Sequence, residues 1–253
     1  MFTRVKTASE LVAMRESGAM LATVLDVLKQ FTIAGMSTKE VADKARAELA
    51  ALGGQPTFLG YQGYPDVICI SVNDEVVHGI PRADHVLREG DIVGLDFGVT
   101  YRGMVTDSAI TVVIGDWRNK REKQLVEGTR QALEIGIATL HDQVRVGDIG
   151  AAIEAELKRH RFGIVRDLVG HGVGHEMHED PNIPNYGRAH TGPWLQAGMT
   201  IAIEPMATLG GDAVYVAPDN WTILTDDGSR AAHFEHTVLI TADGAEIITT
   251  LPK

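Results

Sequence analysis

Four acidic residues lie inside apolar runs that read as β-strands, and no other feature constrains the chain as much. Asp96 sits in Ile92-Val-Gly-Leu-Asp-Phe-Gly98, and Asp107 in Val105-Thr-Asp-Ser-Ala-Ile-Thr-Val-Val113. Glu204 sits in Thr200-Ile-Ala-Ile-Glu-Pro205, and Glu235 in His233-Phe-Glu-His-Thr-Val-Leu-Ile240. Asp and Glu are almost never fully buried unless paired or bound to a cation. One such residue alone reads as a strand-end charge facing water. Four of them, each flanked by strand sequence, resist that reading. Carboxylates that share a core repel and would have to protonate. Two divalent cations would offset that charge, in a chain whose formal net charge is −11.

The surrounding pattern is helix, helix, strands, then the same again. Thr7-Ala-Ser-Glu10 and Ser37-Thr-Lys-Glu40 are capping boxes, each followed by apolar residues at helical spacing. Gly53-Gly54 ends the second helix. Strands are expected at 67–72 and 75–80, the second returning from the first across Asn73-Asp74. Residues 92–99 and 105–114 predict a hairpin around Tyr101-Arg-Gly103. Helices are expected at 120–140 and 149–161. Gly163 precedes a short strand, and Gly170-His-Gly-Val-Gly174 reads as a turn. Residues 179–198 read as an irregular loop. Strands follow at 199–206, 213–216, 221–225, 231–240 and 246–249. This order predicts an α+β fold, an antiparallel sheet with helices outside it. At 253 residues, roughly 70–75% of the unfolded surface can be buried. No low-complexity linker separates the halves, so one domain over 1–253 is expected.

Several chemistries are disfavoured. The densest histidine cluster is Gly170-His171-Gly-Val-Gly-His175-Glu-Met-His178-Glu179, but Glu179 stands where H-E-x-x-H needs its second histidine. His175 reads as a satisfied loop histidine, and a glycine turn suits a close approach of His171 to a metal. No G-x-S-x-G, G-x-G-x-x-G or P-loop is present. The single cysteine, Cys69, makes no internal disulfide and reads as core. An acidic chain does not attract DNA phosphates in bulk. Charges interrupt the first residues too often for a signal peptide, and no apolar run is long enough to span a membrane, so a cytoplasmic location is expected.

Over essentially its full length the sequence resembles the type I methionine aminopeptidases. The segments that carry the resemblance are Gly60-Tyr-Gln-Gly-Tyr-Pro65, Cys69-Ile-Ser-Val-Asn73, Val77-His-Gly-Ile-Pro81, Leu95-Asp-Phe-Gly98 and Thr106-Asp-Ser108. They continue with Gly170-His-Gly-Val-Gly174, Met177-His-Glu179, Ile203-Glu-Pro-Met206 and Phe234-Glu-His-Thr237. The resemblance implies a pita-bread fold: two pseudo-symmetric halves around a curved antiparallel sheet. It implies two divalent metal ions (Mn, Fe, Co or Zn) on Asp96, Asp107, His171, Glu204 and Glu235, with Asp107 and Glu235 shared between them. His78 and His178 would contact substrate, and Glu204 would also carry protons. Phe58, Tyr61, Tyr64, Cys69, Met177 and Trp221 would line the methionine pocket.

The implied activity is removal of the N-terminal methionine from nascent chains and peptides with a small second residue. The resemblance also makes transient ribosome contact plausible, although the basic run Arg118-Asn-Lys-Arg-Glu-Lys123 reads first as a solvated helix face. A monomer is the default. The rivals are a proline-specific peptidase with the same metal set and a non-catalytic module that kept the shape.

Overall fold

The computed structural model describes residues 1–252. Its elements come in two rounds. The first is α1 (Ala8–Phe31), α2 (Thr38–Leu52), β1 (Gln55–Pro56), β2 (Cys69–Val72), β3 (Glu75–Val77), β4 (Ile92–Tyr101) and β5 (Met104–Val113). The second opens with α3 (Lys120–Ala138) and α4 (Val146–Arg159). It continues through β6 (Gly163–Ile164), β7 (Gly170–Gly172), β8 (Glu179–Ile183), β9 (Thr200–Ile203) and β10 (Met206–Thr208). It closes with β11 (Val214–Val216), β12 (Ile223–Thr225), β13 (Ala231–His233), β14 (Glu235–Ile240) and β15 (Ala245–Ile247). The expected order of helix, helix, strands is present twice.

Both capping boxes form. The Thr7 N–H donates to Glu10 Oε2 at 2.7 Å, and the Ser37 N–H to Glu40 Oε2 at 2.7 Å. Each ties down donors that a helix start leaves unpaired. Gly53, at φ 81°, supplies the left-handed cap of α2. The fourth helix starts at Val146, earlier than the apolar pattern suggests, because Asp148 folds back to accept from the Arg145 N–H at 3.1 Å.

The main sheet runs β1-β4-β5-β14-β9-β7-β8, with β2 also on β4 and β15 on β14. Strands of the first round fill one side and strands of the second fill the other. They meet where β14 pairs with β5, through Glu235↔Ala109 and His236↔Ser108. Side-chain hydroxyls extend this short ladder. Thr237 Oγ1 accepts from the Asp107 N–H at 2.9 Å and donates to the Asp107 carbonyl at 2.8 Å. Ser108 Oγ donates to the Glu235 carbonyl at 2.6 Å, and Thr111 Oγ1 to the His233 carbonyl at 2.6 Å. Each half has its own core. Leu21, Leu28 and Leu49 pack on Ile70, Leu95 and Phe97, while Leu133, Ile149, Ile153 and Leu157 pack on Ile201, Ile203 and Val238.

The structure corrects several local expectations. The strand at β3 does not return along β2: β2 pairs with β4, and β3 pairs with β12. After His78, at φ 60°, the chain touches β2 at a single backbone bond, from the Ile70 N–H to the Gly79 carbonyl at 2.9 Å. The run 199–206 is two strands, β9 and β10, in different sheets, broken at Glu204-Pro205. The run 231–240 is likewise split at Phe234 into β13 and β14. Gly170–Gly172 is a strand rather than a turn, and β8 occupies part of the expected loop. Here the glycines serve strand packing: a Cβ on Gly170 would stand 2.4 Å from the Ala202 carbonyl oxygen.

A close contact is made at Gly18 in α1, where a Cβ would stand 2.3 Å from the carbonyl oxygen of Ile248, the residue after β15. Alanine is the better helix former, yet Gly18→Ala should destabilise the protein by about 1–3 kcal/mol through overpacking. The urea midpoint measures this, and an increase would show that α1 has room to move.

Candidate metal centre

Strand register gathers the acidic residues. In the β4–β5 hairpin Asp96 faces Ala109 and Gly98 faces Asp107. Residues two apart on a strand share a face, so Asp96 and Asp107 point the same way. Glu235 pairs with Ala109 from the other side and joins that face. Thr237 pairs with Ala202, and Ala202 with His171, which brings His171 and Glu204 into the same parity. Leu95 and Phe97 occupy the opposite face and are fully buried under the first pair of helices. All five sequence-predicted ligand residues are thus carried by one face, across the junction of the two halves.

The geometry is close. His171 Nε2 lies 3.5 Å from Glu204 Oε1 and 3.9 Å from Asp107 Oδ2. Asp107, His171 and Glu235 each offer one ligand atom within 4.8 Å of the others. His171 Nδ1 is 2.9 Å from the Gly172 carbonyl oxygen. A carbonyl only accepts, so Nδ1 carries the proton and Nε2 presents its lone pair to the carboxylates.

Burial dominates the electrostatics. It lifts Asp96 to about 7 and raises Asp107, Glu204 and Glu235 well above the carboxylate range, with mutual repulsion adding to the last three. Burial also pulls His171 down to about 3 and His78 down to about 4, with His178 nearby in both cases. These imidazoles are neutral, the form that can ligate or donate.

Elsewhere the chain neutralises its buried acids itself. Asp66 is met by Lys39 and Arg46, Asp91 by Arg118, Glu122 by Arg230 and Glu179 by Lys6. Among the described residues, none of the four clustered acids has a lysine or arginine partner, and Asp96 Oδ1, Asp107 Oδ1 and Glu235 Oε1 are buried with no hydrogen bond. Orphaned carboxylate oxygens beside a neutral imidazole suit divalent cations with a preference for oxygen and nitrogen.

Beside this centre is a cavity of about 150 Å³ lined by Phe58, Tyr61, Tyr64, Cys69, Met177, Trp221, His78 and His178, as well as by residues of the acidic cluster. The structure therefore brings every sequence-predicted pocket residue to one place. Tyr64 organises the apolar end: its ring meets Trp221 edge-on at 5.1 Å, and its hydroxyl donates to the Gly79 carbonyl at 2.9 Å. The Cys69 thiol is pushed up by burial and then by Asp96, so it stays protonated. His178 Nδ1 is 2.8 Å from the Tyr61 hydroxyl. A larger groove of about 480 Å³ between α1 and α3 holds none of the predicted site residues.

The sequence pattern missed two neighbours. Gln62, at φ 49°, also lines the cavity. His233 is buried with Nε2 3.6 Å from Glu204 Oε2. An exposed-looking glutamine in a glycine-rich turn gives no local signal. His233 is two residues from Glu235, and strand parity was the available clue. His175 lies outside the cavity and pairs with Glu10 at 2.7 Å, as a loop histidine would.

A profile of metallopeptidase family M24 matches residues 12–242. The chain belongs to metallopeptidase family M24. A methionine aminopeptidase of Mycoplasma capricolum is 44% identical over 246 residues, 97% of each chain. The crystal structure of a methionine aminopeptidase from Thermotoga maritima superposes with a TM-score of 0.97 at 44% identity, covering 98% of this chain and 100% of that one. The prolidase of Pyrococcus furiosus is 23% identical, with a TM-score of 0.78 over 98% of this chain and 66% of its own, and shares the fold. The architecture is the pita-bread fold of these proteins.

The raised carboxylates give a signed prediction for metal-free protein. A carboxyl whose folded value lies above its ordinary 3.8 binds its proton more tightly when folded. Stability is then lost as pH rises from about 4 to about 7. In chelator, the melting temperature should fall across that window, and Asp96→Asn should shallow the decline. Parallel curves for the two proteins would count against a buried, unpaired Asp96.

Proposed function

We propose that the chain is a dinuclear-metal aminopeptidase that removes N-terminal methionine from nascent proteins and peptides with a small second residue. The observation that carries this reading is the set of orphaned carboxylate oxygens beside neutral His171, opening onto an apolar pocket. Full-length relatives named methionine aminopeptidase support the substrate class. Asp107 and Glu235 would hold both ions, Asp96 would hold one, and His171 with Glu204 would hold the other. Mn, Fe, Co and Zn all suit four carboxylates and one imidazole. Bound divalent ions supply Lewis acidity and an acidified water.

The remaining roles belong to the chain. Glu204 is the most exposed of the four acids, at 14% of its side chain, and is placed to pass a proton to the leaving amine. With the Tyr61 hydroxyl donating to Nδ1 of His178, its Nε2–H is left as a donor toward the developing oxyanion. We assign His78, which lines the cavity on a strained backbone, to contact the scissile amide nitrogen. Phe58, Tyr61, Tyr64, Cys69, Met177 and Trp221 form an unbranched apolar slot that suits methionine. Gln62 stands at the same wall, where the second residue would pass.

We further propose that the whole chain acts as one catalytic domain and works as a monomer on chains leaving the ribosome. The buried free thiol of Cys69 suits the cytoplasm. Among the described residues, no helix is long and apolar enough to cross a membrane.

Purified protein, stripped of metal and titrated with Mn, Co, Fe or Zn, should release methionine from Met-Ala-Ser and leave Ala-Pro-Gly intact. Cleavage of the proline peptide would move the chain to the proline-specific side. Bound ions without turnover would favour a non-catalytic module. Asp107→Ala and Glu235→Ala should abolish turnover and metal binding together. His78→Ala and His178→Ala should lower kcat by about 10²–10⁴ with metal retained. Metal loss in the histidine variants would contradict the assignment.

A further inference from the structure

The segment before α1 is fastened to the loop between His171 and His178 by a buried charge pair. The side chains of Lys6 and Glu179 are 0% and 1% exposed. Lys6 Nζ donates to Thr3 Oγ1 at 3.0 Å, the Arg4 carbonyl at 3.1 Å and Glu179 Oε2 at 3.4 Å. The other carboxylate oxygen, Glu179 Oε1, accepts from the backbone N–H of His175 at 2.7 Å and of Glu176 at 3.0 Å. A single carboxylate thus links the ammonium to the loop backbone. Gly174, at φ 143°, leaves the space the lysine stem needs: a Cβ there would stand 2.4 Å from Lys6 Cε. The loop is held on its far side as well, since the Gly174 carbonyl accepts from the Val105 N–H at 2.7 Å, two residues before Asp107.

The backbone supports the same clamp. The Thr3 N–H donates to the Asp180 carbonyl at 2.6 Å, and the Lys6 N–H to the Gly198 carbonyl at 2.8 Å. Next along the chain from Glu179 is His178, whose ring lies 4.3 Å from that of His171. Tyr61 holds the His178 side chain, and Glu179, the next residue, holds the backbone at His175 and Glu176. A buried ion pair adds little net stability over an apolar pair, but it is costly to break and demanding in geometry. That combination suits placement better than adhesion.

We infer that Lys6 and Glu179 are a positioning pair that sets His178 against the metal centre, a role that rests on the reading of His178 as a substrate contact. The pair lies outside the lining of the site cavity and acts through the loop. Removing one charge should displace His178 while leaving the pocket and the ligand residues in place. Removing both charges, with shape and the loop acceptor kept, should restore it.

The test compares Glu179→Gln, Glu179→Asp and the double variant Lys6→Met/Glu179→Gln with wild type. Glu179→Asp keeps the charge and folds most readily, yet is too short to reach both the ammonium and the two N–H groups. Four quantities are measured: kcat and KM on Met-Ala-Ser, bound metal per chain, melting temperature, and the His178 imidazole NMR signals in metal-free protein. Each Glu179 single variant should lose about 10–100-fold in kcat, with KM and metal content unchanged and the His178 signals shifted. The double variant should regain most of the kcat and the wild-type signals. A lower melting temperature with unchanged kcat and unmoved His178 signals would overturn the proposal and leave the pair a structural fastener. A wild-type protein that binds metal but turns over no peptide would defeat the aminopeptidase reading, while the His178 signals would still report whether the pair sets the ring.

Discussion

Four carboxylates face one another where water is largely excluded, and among the described residues no lysine or arginine meets them. Moving an ion out of water costs several kcal/mol even after relaxation. The protein can bear this because three of the acids ride on paired strands and Glu204 directly follows one, β9. Asp96, Asp107 and Glu235 sit in ladders whose register fixes their parity, and the opposite face of each ladder is packed against helices. A softer frame would let the acids swing out to solvent. The contrast with Asp66, Asp91, Glu122 and Glu179, each met by lysine or arginine, makes the unpaired four a directed exception.

Rigidity around the cavity has a second source, the hydrogen bonds that decide which ring nitrogen is free. The Gly172 carbonyl engages one nitrogen of His171, and the Tyr61 hydroxyl engages one nitrogen of His178. In both rings the other nitrogen is left for chemistry. His78 and Gln62 adopt backbone angles that non-glycine residues rarely hold, φ 60° and 49°. Such strain persists only where the surroundings over-determine it. Gly79 shows how: a Cβ would stand 2.3 Å from the Ile70 carbonyl oxygen, so the residue after His78 is pressed into the sheet.

Much of the frame was legible in the sequence because its signals are local. Capping boxes, a hairpin with its glycine turn and two helical stripes each report on a few neighbouring residues. Acid in an apolar strand was legible for the same reason, and it pointed directly at the centre. What local pattern could not report was partnership. Nothing in Glu75–Val77 says that it pairs with a strand near residue 224. The runs 199–206 and 231–240 look continuous because their apolar content continues, although Glu204-Pro205 and Phe234 carry the chain from one sheet to another. The strand at Gly170–Gly172 was hidden because glycine there answers to a neighbouring backbone, not to a turn. Lys6 and Glu179 lie far apart in sequence, and only the fold makes them a pair.

The junction between β5 and β14 has a consequence for when the protein is able to act. Backbone pairing there is brief, and hydroxyls of Ser108, Thr111 and Thr237 complete it. The same junction joins Asp96 and Asp107 from one half to Glu204 and Glu235 from the other. Neither half holds the full acidic set, so a chain that has not yet docked β14 against β5 has the parts of a peptidase without its tool. The architecture works as a safety catch: hydrolytic capacity requires both halves to be docked, because each holds only part of the acidic set.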